Sequence, residues 1–288
     1  VEIDDASIDA IGRWPWPRNV HATLLQRIAA ARPRAVALDL VLSEPSPEPA
    51  HDRSLAEAIR AASPVVMPVV WRADGVRALA PLLPVPPLRD AAILGAAEAP
   101  VDEDGVQRHA FLRAGPADAP YPHLALALLR AGGEAVHPRV VAESAPAGAG
   151  DAPWLRDGRF LIRFAGAPGS VTSVSYVDVL RGTVAADRLA GQYVLVGLTA
   201  QGLGDTLATP VNMRHHAMPG VEVLAHTLYT LRSGDTIRAV PAAAWAAVSA
   251  LAAFALVLAF ARLGSRGALP LAVASVPVAL AASWLALG

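Results

Sequence analysis

The sequence predicts an α/β fold: a mainly parallel sheet with flanking helices and a hairpin insertion, followed by transmembrane helices. Three observations lead there. Short aliphatic runs at 35–40, 65–70 and 193–198, bounded by Pro, Gly or charge, have the composition of strands buried on both faces of a parallel sheet. Amphipathic helical patterns lie between them. After Arg238 charge vanishes from two stretches, 240–261 and 268–287, each long enough to cross the roughly 30 Å hydrocarbon core as a helix rising about 1.5 Å per residue. Two buried helices of a soluble core are the alternative for this tail, but such helices seldom run so far without a polar face.

Taken in order, residues 1–4 read as a first strand, and 7–11 as a short helix that Asp5 can cap. Asn19 is the expected N-cap of a helix over 20–31, whose Val20, Leu24 and Ile28 share a face; 52–62 repeats the pattern with Leu55 and Ile59. Strand, helix, strand 35–40, helix, strand 65–70 is a βαβαβ unit, whose right-handed crossovers force a largely parallel sheet. Pro81, Pro84, Pro86 and Pro87 predict an extended loop over 80–88. Asp104-Gly105, between the short apolar stretches of 101–114, has the chemistry of a hairpin turn. A helix over 121–130, a loop rich in Ala, Gly and Pro over 142–153, an alternating strand over 159–164 and a helix over 219–231 with Val221, Leu224, Leu228 and Leu231 on one stripe complete the body. One soluble domain over 1–238 is the economical count. The chain opens at Val1 inside a strand pattern and stops at Gly288 directly after an apolar run, so further chain is expected on both sides, including an upstream signal peptide or membrane helix.

Composition excludes several chemistries. A net charge of −1 leaves no footprint for nucleic acid. The absence of cysteine removes thiol nucleophiles, thiolate metal sites and disulfides. All 24 basic residues are arginine, which rules out a phosphate-loop lysine, a Schiff-base lysine or a lysine general base. Arg262 and Arg266 in the link 262–267 favour a cytoplasmic link, with 1–238 outside; Arg232 and Arg238 at the other end weigh against it. Trp245 and Trp284 suit an interfacial aromatic belt, or lipid-facing packing.

The motifs are mostly structural. The glycine-rich turn 197–205 places Leu203 where a phosphate loop needs lysine, and it fails the dinucleotide fingerprint; a plain strand-to-loop turn or an amide nest for an anion remains. An EF-hand starting at Asp102 would need Gly and Glu where Gln107 and Arg113 stand. Glu222 and His226 stand one helical turn apart, but with His215 and His216 they show no defined metal spacing, so hydrogen bonding within the fold is the reading preferred. No hydrolase elbow, zinc-protease motif or catalytic triad spacing is present. No catalytic residue, metal or cofactor is assigned.

Carboxylates gather where parallel strands should end: Asp4 and Asp5 after the first, Asp39 with Glu44 after the second, and Asp205 beyond the glycine turn. Strand carboxyl ends line the ligand crevice of open parallel sheets, so these groups can converge on a cation, a polyol or an amine; equally, Asp5 can cap a helix and Asp39 can pair with arginine. Arg13, Trp14, Trp16 and Arg18 lie in a Pro-held segment whose rings can stack on arginine, on a ligand or at a packed corner. With Glu222, these are the candidate ligand-binding residues.

Six segments carry a family resemblance: IDDASIDAIGRWPWPRNVHATLLQRI (3–28), AVALDLVLSEP (35–45), DEDGVQRHAFLR (102–113), YPHLALAL (121–128), QYVLVGLTAQGLGDTLATP (192–210) and MPGVEVLAHTLYTL (218–231). In order and spacing over about 1–238 they resemble the CHASE domain of the second type, an extracytoplasmic sensor of bacterial signalling proteins. The resemblance implies an α/β periplasmic input module with one membrane helix before it and usually three after it. It implies an adenylate or guanylate cyclase, histidine kinase, diguanylate cyclase or serine/threonine kinase as the cytoplasmic effector. It carries over no binding residues.

The expectation is therefore a sensory input module of the cytoplasmic membrane, forming a homodimer, answering an extracytoplasmic small molecule or ion, and driving an effector domain of the same polypeptide. Only residues 232–239 join the last soluble helix to the first apolar run, too short a link to lose a shift. The rival is a membrane-anchored dimerisation or scaffold module without a ligand, whose melting temperature would stay flat in a screen of periplasmic ions and metabolites. An extracytoplasmic hydrolase would have to work through Asp5, Asp39 or Asp205.

Overall fold

The computed structural model describes residues 1–62, 64–74, 78–140, 142–143, 154–203, 206–212, 217–237, 246–258 and 261–262. The chain divides into two units, Val1–Ile237 and Arg238–Gly288. The first holds a central sheet of β1 (Glu2–Ile3), β9 (Tyr193–Leu198), β2 (Ala35–Leu38), β3 (Val65–Asp74) and β5 (Ile93–Ala96), adjacent in that order and all parallel. The outer half of β3 turns back antiparallel onto β4 (Ala78–Leu82). The last strand of the sheet to be made, β9, thus lies between the first two.

Sheet alternation decides which helices cover which face. Val36, Leu38, Val65, Met67, Val194 and Val196 point into one core with helices α1 (Asp5–Ile11), α2 (Arg18–Ala30), α3 (Pro49–Ala61), α4 (Pro86–Arg89) and α6 (Tyr176–Arg181). Ala35, Ala37 and Val66 point into the other, beneath α5 (Leu124–Ala131) and α7 (Gly220–Ser233). Small residues on that second face let the helices close on the sheet. A Cβ on Gly197 would meet Val221 Cβ at 2.6 Å, and one on Gly95 would meet the Leu124 Cα at 2.7 Å. Two strands before α5 and one after it make a separate antiparallel sheet, β6 (His109–Pro116) flanked by β7 (Tyr121–Pro122) and β8 (Trp154–Leu161); β10 (Thr206–Leu207) and β11 (Met218–Pro219) form a small ladder before α7.

The α/β class, the parallel sheet and the flanking helices match the expectation; several local readings need correction. Asp4, not Asp5, caps α1: its extended backbone lets Oδ1 accept from Ser7 N at 2.9 Å, whereas Asp5 is already helical. α2 starts at Arg18 behind Pro17, whose fixed φ makes the entry without a side-chain cap, so Asn19 lies inside the helix. The expected loop 80–88 is partly ordered: Pro81 is tolerated because β4 ends the sheet edge, and Pro86 opens α4, where a missing N–H costs nothing. The Asp102–Gly105 turn exists, Gly105 N donating to Asp102 O at 2.8 Å and Asp102 N to Val106 O at 3.0 Å across it, but the strand that follows, β6, takes its partners from β7 and β8. The insertion is a three-stranded sheet.

In the second unit residues 246–258 form a helix whose Val248, Leu251, Phe254 and Val257 are exposed. Among the described residues no helix is long and apolar enough to cross a membrane. Residues 240–245, Trp245 among them, and 259–260 of the first apolar run, the run 268–287, Trp284, Arg238 and Arg266 lie outside the described residues, as do His215, His216 and most of the 142–153 loop.

Candidate functional site

A parallel sheet ends every strand on the same side, and the connections that leave those ends diverge and leave a crevice. Here it is a cavity of about 650 Å³, lined by Asp39–Leu42 after β2, Val70 of β3, Ala97 and Glu98 after β5, and Leu198 of β9. Trp14, Pro15 and Arg18 close one side, His123 and Leu124 at the start of α5 another, and Val221, Val223, Leu224 and Thr227 of α7 a third. The size lies within the range of about 300–1,000 Å³ usual for small-molecule sites.

Of the sequence candidates, Trp14, Arg18, Asp39 and Glu44 come together at this crevice. Arg18 spans from α2 to the loop after β2: Nε lies 3.6 Å from Asp52 Oδ1, and Nη2 donates to the Glu44 carbonyl oxygen at 3.2 Å. Trp14 meets Trp16 edge-on at 5.1 Å. Trp16 itself is buried, its Nε1 donating to Gly12 O at 2.7 Å and its ring 4.9 Å from Tyr176, so it braces the corner behind the crevice. Beside it, Tyr176 Oη and His21 Nδ1 share a hydrogen bond of 2.8 Å. Burial, with the Arg18 charge second, pushes His21 down to about 3, so the imidazole is neutral at pH 7.

The other candidates are placed elsewhere. Asp4 accepts from the Ser7 backbone and from the Ser7 and Ser175 hydroxyls, tying β1 to the start of α6. Asp5 is exposed and accepts from Gln201 N at 3.1 Å; Arg13 is exposed; Asp205 lies outside the described residues. Glu222 is buried, and its carboxylate accepts from the backbone N–H groups of Gly169, Ser170 and Val171, with Gly169 N at 2.9 Å from Oε1. His226 accepts instead from Ala165 N at 3.3 Å. The one-turn Glu/His pair thus pins the 165–171 segment to α7. Among the described residues no three His, Asp or Glu side chains gather to hold a metal ion.

Three lining residues escaped the sequence reading. Gln107, 2% exposed, has a buried Oε1 without a partner among the described residues. Glu98 gives Oε1 to Arg156, whose Nε donates at 2.8 Å, while its Oε2 is buried and equally without a partner among the described residues. A buried acceptor left without a donor costs about 1–3 kcal/mol; buried polar atoms without a hydrogen-bond partner among the described residues also occur away from the crevice, on His21, Asp52, Trp71, Trp154, Thr199 and His226. His123 caps α5, its Nδ1 accepting from Ala125 N at 3.1 Å; burial pushes it down to about 4, which leaves the ring neutral with its proton on Nε2. Nothing local in the sequence marks Glu98 or Gln107. The only available signal for Glu98 is its position just past an apolar run, and the run 93–96 was itself too short to be read as a strand.

The family model described as the CHASE2 domain matches residues 1–263. The chain belongs to the CHASE2 family. CHASE2 is an extracellular sensory domain family of signalling receptors, non-catalytic in character. No curated protein and no solved structure matches the chain.

Proposed function

We propose that this CHASE2 chain is the extracytoplasmic input module of a receptor in the cytoplasmic membrane, that the crevice receives its small-molecule or ion signal, and that α7 transmits occupancy. On this reading 1–238 lie outside, 240–261 and 268–287 cross the membrane around a cytoplasmic link 262–267, and a homodimer drives a cyclase, histidine kinase or diguanylate cyclase of the same polypeptide. One observation carries the reading: Val221, Val223, Leu224 and Thr227 line the cavity on the same helix that ends at Ser233, just before the apolar run. A ligand that prefers one setting of α7 tenfold shifts the receptor by about 1.4 kcal/mol, enough to change output several-fold.

The test is a flexible Gly/Ser insertion after Ser233 in the full-length receptor. Regulation should be lost while the melting temperature of the domain is unchanged; a receptor that stays regulated overturns the coupling. A reporter active only outside the cytoplasm, fused at Gly234, should be active, and an inactive one overturns the topology.

A further inference from the structure

We propose that the crevice is built for a small organic amine, whose ammonium group donates to Glu98 Oε2 and Gln107 Oε1 while its apolar body lies against the leucines after β2 and the inner face of α7. The proposal deepens the sensory reading above and rests on it.

The unpartnered atoms set the chemistry. Gln107 is 2% exposed and the Glu98 side chain 10% exposed, both line the cavity, and each has a buried oxygen without a partner among the described residues. Both atoms are acceptors and call for a donor; the third buried atom without a hydrogen bond on a described lining residue, Arg18 Nε, lies 3.6 Å from Asp52 Oδ1 in an ion pair. Arg156 holds the other Glu98 oxygen, with Nε at 2.8 Å, which fixes the carboxylate in place.

The charge of the wall points the same way. Glu98 places a carboxylate in the cavity wall, and the single guanidinium among the described lining residues, Arg18, is engaged by Asp52 and the Glu44 carbonyl. A charged donor bonds a carboxylate about twice as strongly as a neutral one, so Glu98 favours a cation. A carboxylate ligand would set its oxygens against the Glu98 carboxylate whichever way the Gln107 amide is turned. An alcohol satisfies the hydrogen bonds but brings no charge to the carboxylate. Leu40, Leu42, Val223 and Leu224 line the rest; that hydrocarbon suits an organic body and offers nothing to a bare metal ion, which needs oxygens on several sides.

The full chain in detergent is titrated with tryptamine, tryptophol and indole-3-acetate, which share one apolar body and differ in the head group, and binding is read by calorimetry and thermal shift. Tryptamine should bind at least tenfold tighter than tryptophol, and indole-3-acetate not at all. Glu98→Gln should erase the advantage of the amine over tryptophol. Gln107→Leu, which keeps Glu98 and its Arg156 partner, should weaken the amine several-fold, and Leu224→Trp should fill the crevice and abolish binding. Indole-3-acetate binding as tightly as tryptamine, tryptamine binding that survives Glu98→Gln, or no binding of any of the three overturns the proposal. The sensory reading falls separately, on the Ser233 insertion: acetate binding that Leu224→Trp blocks would sink the amine and leave the sensory crevice intact.

Discussion

Glu222 and Glu98 are both buried carboxylates, and the protein treats them in opposite ways. Glu222 is surrounded by the backbone N–H groups of 169–171, so its charge is spent on holding a loop against α7. Glu98 is anchored through one oxygen and leaves the other in a cavity wall without a partner among the described residues. The first arrangement stabilises the fold, because removing the carboxylate strands several donors. The second keeps an acceptor in reserve for something outside the chain. Saturation, rather than burial or charge alone, separates a structural acid from a receiving one.

The largest effect that sharpens this contrast is acid. His21, in the sealed corner, and His123, at the crevice, are neutral when folded, with pKa values pushed down to about 3 and about 4 from 6.5. The unfolded chain takes up those protons first. Stability is therefore full above about pH 6.5 and falls as the pH drops toward the folded values, by about 1.4 kcal/mol per unit for each histidine. Urea unfolding at pH 7 and pH 4.5 should differ by about 5 kcal/mol from these two groups. If the His123 ring is seen by NMR to titrate near its ordinary value, the α5 edge of the crevice is open to water and the contrast with the sealed corner is lost.

Next in size, Glu222→Ala should destabilise the chain by about 2 kcal/mol in denaturant unfolding, since the amides of 169–171 lose a charged acceptor. A neutral result would mean that water replaces the carboxylate there, and Glu222 would no longer serve as the saturated member of the pair. Gly197→Ala should cost about 1–3 kcal/mol, because the new methyl meets Val221 and forces α7 off β9. It should also change the signalling set-point if α7 is the transmitting helix. The smallest effect belongs to Glu98: Glu98→Gln should alter stability by less than about 1 kcal/mol, its partner Arg156 being 45% exposed. A large loss on thermal melting would make Glu98 a structural acid like Glu222.

What was readable beforehand follows from which signals are local. β9 was delimited at 193–198 by its aliphatic run, and β2 and β3 by theirs, because a strand buried on both faces has no polar positions to blur it. β5 and α6 were missed: Ile93–Ala96 is four residues, one of them glycine, and Tyr176–Arg181 is under two turns. Of the candidate site, Asp39 and Glu44 follow from asking which residues succeed strand ends, and Trp14 and Arg18 from the Pro-held segment 12–18. Glu98 was not, because its strand was not seen. Glu222 drew attention for a one-turn spacing with His226, yet the two side chains serve different backbone groups.

By itself the sequence determined the layered α/β class, the parallel order of the early strands, the exclusion of thiol and lysine chemistry, and the family resemblance, since periodicity, composition and motif order are written along one dimension. Only the tertiary structure decided that β9 inserts between β1 and β2, that glycines at 95 and 197 let α5 and α7 close on the sheet, and which carboxylate is saturated and which is left with an acceptor to offer. Those properties depend on neighbours distant in sequence: hydrogen-bond satisfaction belongs to a packed environment, and no stretch of chain carries it alone.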